Sequence, residues 1–74
     1  MNIANNKELK IGDEVCYQPQ HHSKYENGIV KSIPTHTDQS VFVVYNCGGK
    51  WHNFTDYTAA LTNIRDLTKG WKYN

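Results

Sequence analysis

Ser40-Val41-Phe42-Val43-Val44-Tyr45, followed by Asn46-Cys47-Gly48-Gly49-Lys50 and then Trp51-His52-Asn53-Phe54, decides the fold class. The first of these runs is β-branched and aromatic, with apolar side chains at both parities, the composition of a strand covered on two faces. Gly48 and Gly49 can take φ > 0, which a tight hairpin turn requires. The spacing therefore predicts a central strand over 40–45 that turns at 46–50 and pairs antiparallel with a fourth strand at 51–54.

Working toward the N-terminus, Thr35-His36-Thr37-Asp38-Gln39 is a polar connection, and Ile29-Val30-Lys31-Ser32-Ile33 is a second strand, introduced by Asn27-Gly28 and halted by Pro34. Residues 18–26 are polar apart from Pro19 and Tyr25 and read as an exposed loop. Before them, Gly12-Asp13 makes a turn, after which Val15 and Tyr17 alternate with Glu14 and Cys16 as in a half-buried strand. Residues 1–8 are Asn-rich and are expected to form a flexible lead unless something ties them down, leaving 9–74 as one domain.

Working toward the C-terminus, the pattern divides. Tyr57, Ala60 and Leu61 have helical spacing, while Thr55, Thr58 and Thr62 favour extended chain, so 56–67 stands open between strand and helix. Asn63-Ile64-Arg65-Asp66-Leu67 suits a single 3₁₀ or α turn capped by Asn63, and Trp71 closes the chain as a last strand or plug. The expected fold is mostly β: a small, partly open barrel of about five strands with a short helical turn near the C-terminus, an arrangement that hides most strand edges. An open sheet with a packed helix over 56–67 is the alternative.

A chain of 74 residues has room for one domain, and it buries only about 60% of the surface its unfolded form exposes. Typical per-residue values put its whole stability at roughly 4–11 kcal/mol. The formal net charge of +1 offers no global field toward nucleic acid or acidic lipid. No apolar run approaches the roughly 20 residues of a membrane-spanning helix. Cys16 and Cys47 form no CxxC pair and the N-terminus lacks an apolar signal core, so reduced thiols in a cytoplasmic protein are expected.

Site chemistry is sparse. His21, His22, His36, His52, Cys16 and Cys47 include no short-range ligand pair of the kind that begins a structural zinc site, and adjacent histidines on extended chain point to opposite faces. Cys47 with His52 is the Cys/His pair that the hairpin brings near, but a hairpin tip offers neither pocket nor oxyanion donors. Gly48-Gly49 precedes no helix that would cradle a phosphate. The expectation is no catalytic residue, no metal and no cofactor.

What stands out is the aromatic content, nine of 74 residues, more than so small a core needs. Surface aromatics stack bases, cage a methylated ammonium or anchor a protein partner. Tyr25, Trp51, His52 and Tyr57, with Lys31 and Lys50 near them, are the candidate binding residues. Arg65, Lys69 and Lys72 are further cations able to line a groove; the plainer reading is solvated charges around core aromatics.

Ile11-Gly12-Asp13-Glu14-Val15, Tyr17-Gln18-Pro19-Gln20, Glu26-Asn27-Gly28-Ile29-Val30-Lys31, Val43-Val44-Tyr45-Asn46-Cys47 and the stretch from Tyr57-Thr58 through Thr62-Asn63 to Gly70-Trp71 together resemble a family of small uncharacterised proteins of tailed bacteriophages and prophages. The Gly12-Asp13-Glu14-Val15 start and the Asn27-Gly28-Ile29-Val30 strand also look like SH3-like and Tudor-like barrels generally. The resemblance implies a cytoplasmic accessory protein of an infected or lysogenic bacterial host and supplies no catalytic residues.

The expected function is a non-enzymatic binding module that engages a host or phage protein through the loop at 18–26 and the hairpin at 46–54, with modulation of host defence as one outcome. The alternative is nucleic-acid binding on the barrel face, for which charge reversal at Lys31 or Lys50 and added salt would both weaken the complex. The chain is expected as a monomer, or as a homodimer joined through an exposed strand edge.

Overall fold

The computed structural model describes residues 3–73. Its strands are β1 (Glu14–Tyr17), β2 (Glu26–Ser32), β3 (Ser40–Val44), β4 (Ala60–Asn63) and β5 (Leu67–Lys69). All pairings are antiparallel and the order across the single sheet is β4-β3-β2-β1-β5. A one-turn 3₁₀ helix, Ile64–Asp66, carries the chain from β4 across to β5 beside β1. This is the mostly β, partly open five-stranded arrangement expected from the sequence; the barrel does not close, and β4 and β5 remain its edges.

Alternation places the core. Val15, Val30, Val41 and Val43 point to one side of the curled sheet and pack with Ile3, Leu9, Ile64 and Leu67, while Tyr17, Ile33 and Tyr45 close the margins. Each such aliphatic side chain contributes about 1.5–3 kcal/mol by leaving water. β3 lies inside the sheet and is buried on both faces, as its composition predicts: Val44 stands opposite Ile29 on the face away from the core, and both are buried.

The cover of that second face corrects the hairpin reading. Gly48 and Gly49 do take positive φ, +60° and +82°, but the turn does not launch a strand. Lys50 N–H donates to Cys47 O at 3.0 Å and Asn53 N–H to Lys50 O at 2.9 Å, so the chain rolls into a 3₁₀ helix, Trp51–Asp56, that lies against β2. The fourth strand is instead Ala60–Asn63, with Leu61 across from Phe42 and Ala60 across from Val43. Trp51 and Phe54 favour strands in isolation, but packing of this segment against β2 overrides that propensity.

The open stretch 56–67 likewise resolves into the end of that 3₁₀ helix, β4, and the turn Ile64–Asp66, where Asn63 Oδ1 accepts from Arg65 N–H at 2.9 Å as the capping reading expects. The alternative of a packed helix over 56–67 is overturned. β2 starts at Glu26, so Asn27 and Gly28 belong to the strand rather than to a turn before it. From Ile3 onward the leading segment is tied down. Ile3 and Leu9 join the core, Asn5 and Glu8 form a reciprocal capping box, and Asn6 is buried. Among the described residues no helix is long and apolar enough to cross a membrane.

Candidate binding face

After β5 the chain does not leave the sheet. Asn27 Nδ2 donates to Lys72 O at 2.8 Å while Lys72 N–H donates to Asn27 Oδ1 at 2.9 Å, and Trp71 Nε1 donates to Gly28 O at 2.8 Å. These three bonds strap residues 71–72 across the start of β2. The strap carries aromatics with it: the Trp71 ring lies 5.0 Å from that of Trp51 at 55°, and Tyr73 meets Trp71 edge-on at 6.5 Å. Such geometries suit the ring quadrupoles. Trp51 and Trp71 are half-buried, whereas Tyr73 is 75% exposed. On the other side of the strap the Lys72 ammonium sits 5.1 Å over the Tyr25 ring and donates to Gln18 Oε1 at 3.3 Å.

The residues singled out from the sequence therefore part company. Trp51 and Tyr25 flank the same strap. Lys31 does not join them: its Nζ donates to Tyr57 O at 2.6 Å and both residues are half-buried, so this pair fastens the β3–β4 connection to β2. Lys50 is exposed and precedes the 3₁₀ helix without a side-chain cap bond, and His52 is exposed on that helix. Sequence reasoning named Lys72 only as a further cation, and it did not join Lys72, Tyr73 and Asn27 to the candidate set. The available signal was Trp71 and Tyr73 two apart after Gly70, which on extended chain places both on one face.

Cys16 is buried, and burial pushes its thiol up, with the neighbouring Lys72 charge and backbone N–H pulling the other way. Cys47 is buried while His52 is exposed. Among the described residues no three His, Cys, Asp or Glu side chains gather as a metal would need.

Between β4 and Asp66 lies a concavity where Tyr17 and Tyr45 meet edge to face at 5.8 Å. The Tyr45 hydroxyl and Thr62 Oγ1 are 2.8 Å apart. Burial pushes the Tyr45 phenol up to about 12, opposed by the Thr62 bond and helped by the Tyr17, Glu26 and Asp66 charges. The folded pKa thus exceeds the ordinary value of 10, so this residue's contribution to stability is complete below pH 10 and is lost as pH rises toward 12. Chemical denaturation across that interval is expected to show a steeper loss for the wild type than for Tyr45→Phe, which has no phenol to ionise. Parallel curves would mean the ring is better hydrated than its packing indicates.

Comparison of the chain with models of known protein families, with curated proteins and with solved structures gives no match.

Proposed function

We propose that this chain is a non-enzymatic accessory module that engages a host or phage protein through the face formed by Trp51, Trp71 and Tyr73, with Tyr25 and Lys72 at its rim. The observation that carries this reading is the strap: hydrogen bonds to β2 hold mutually packed aromatics at the surface, so their ordering cost is met before any partner arrives. Pre-ordered Trp and Tyr side chains are the usual anchors of protein interfaces. The phage or prophage setting and a cytoplasmic location in the bacterial host rest on the family resemblance. Modulation of host defence is the role that setting suggests.

Affinity capture of the tagged protein from bacterial lysate, with and without nuclease, tests the reading. Tyr73→Ala is the control, since an exposed side chain can be removed without disturbing the core. A discrete protein that survives nuclease and is captured at least roughly thirtyfold less by Tyr73→Ala, the loss of an interface hot spot, supports it. Capture abolished by nuclease would transfer the function to nucleic acid. Equal capture by Tyr73→Ala would move the interface to another face. The engagement of Lys31 with the Tyr57 carbonyl weighs against a nucleic-acid face built on Lys31.

A further inference from the structure

β4 is a terminal strand, bonded on one side only, to β3. The backbone groups along its other side form a template onto which an extended chain can add. Natural edges are usually blunted by lysine, proline or a bulge. Ala60-Leu61-Thr62-Asn63 contains neither residue, its register with β3 is continuous, and Leu61 is 55% exposed. The opposite edge, β5, carries Lys69. One edge is guarded and the other is bare.

Along the bare edge runs a cavity of about 420 Å³, bounded by β4 on one side and by Tyr17, Glu26, Tyr45 and Asp66 on the other. This seam is the concavity in which Tyr17 meets Tyr45. Register puts Glu26 directly across from Tyr17, so the two side chains share a face. The lining holds two phenol rings and two carboxylates, and no Lys, Arg or His. Ring faces and carboxylates both attract a cation; Glu26 is exposed and Asp66 half-buried, so each can be reached from outside.

We propose that this seam receives an extended segment of a partner polypeptide, which adds as a strand along Ala60–Asn63 and sets one lysine or arginine side chain among Glu26, Asp66 and the Tyr17 and Tyr45 rings. The backbone edge supplies sequence-tolerant affinity, and the acidic mouth supplies the side-chain preference. The inference rests on the protein-binding reading for the nature of its occupant. It uses a surface different from the Trp51–Trp71–Tyr73 face, so either reading can fail alone.

The probe is a short blocked peptide of alternating threonine and valine with one central lysine, titrated into the ¹⁵N-labelled full chain. Saturable shifts confined to Ala60–Asn63, Tyr17, Glu26 and Asp66 are expected. A central glutamine in the peptide, or Glu26→Gln with Asp66→Asn in the protein, is expected to weaken binding about fivefold or more, as loss of partly exposed charge contacts does. Methylating alternate peptide amides should abolish it, because the edge bonds are then lost. Equal titration by the lysine and glutamine peptides, unchanged binding after N-methylation, or shifts centred on Trp71 would each overturn the inference. If the peptide fails while capture still depends on Tyr73, the seam reading falls and the aromatic face stands; if the peptide binds while Tyr73→Ala captures like the wild type, the reverse holds.

Discussion

Gly28→Ala is expected to lower the melting temperature more than alanine at any other glycine of the chain. A Cβ at this position would stand 2.6 Å from Val43 Cγ1, 2.8 Å from Val44 O and 2.9 Å from Tyr45 Cδ1. Real Cβ atoms do not approach so closely, and the three neighbours cannot all yield. Val43 is fully buried in the core, Tyr45 is held through its hydroxyl to Thr62, and the Val44 carbonyl is backbone in a strand with partners on both sides. Overpacking of this kind costs about 3 kcal/mol, the upper part of its usual range. For a domain this size that corresponds to a fall of roughly 12–24 °C. Gly48→Ala is the comparison: nothing lies within 4 Å of its Cβ, so only its left-handed backbone resists, at roughly 1–2 kcal/mol. Calorimetry on both variants checks the ordering, and a Gly28→Ala protein melting within a few degrees of the wild type would mean that β2 and β3 are less tightly apposed than their distances indicate.

The same glycine shows why parts of this fold were legible and others were not. Asn27-Gly28 has the local chemistry of a turn, and only the approach of Val43 and Tyr45 from another strand explains a glycine inside β2. Val15 and Tyr17, or Val41 and Val43, were readable because alternation is a property of neighbours in sequence. The turn at Ile64–Asp66 was readable because its cap, Asn63, is adjacent to it. Residues 51–54 were misread as strand because what settles them is packing against β2, some twenty residues back along the chain. The candidate sites follow the same division. Trp51 and Tyr25 were found from composition, but their connection runs through Trp71, Lys72 and Asn27, and the seam gathers Tyr17, Glu26, Tyr45 and Asp66 from four separate segments. Lys31 and Tyr57 looked like binding residues because a long cation and an aromatic are common at interfaces; their 2.6 Å bond makes them a fastening instead.

Asn6→Ala is expected to have the second large effect, about 2–4 kcal/mol, with loss of order at both ends of the residues it joins. Asn6 is 2% exposed, and its Nδ2 donates to Thr37 O at 2.8 Å and Ser40 O at 2.9 Å, with Pro34 O at 3.4 Å. Its own backbone N–H donates to Asp38 O at 2.8 Å. One short side chain thus satisfies carbonyls along the β2–β3 connection, a segment whose Thr35, His36 and Asp38 side chains are exposed and supply no core of their own. Truncation leaves the Thr37 and Ser40 carbonyls without their donor, at about 1–3 kcal/mol for each buried group left unmet. Asn6→Asp should be no milder, since the isosteric carboxylate offers lone pairs to carbonyl oxygens and no N–H. Set against a total of roughly 4–11 kcal/mol, either change removes a large share of the margin. Denaturation midpoints measure the loss, and hydrogen exchange locates it, with faster exchange expected first at Asn6, Leu9 and Gln39. A variant that keeps its midpoint would show that water entering beside Ile33 and Pro34 replaces the amide, and the clamp would then reside in the apolar anchors Ile3 and Leu9 rather than in Asn6.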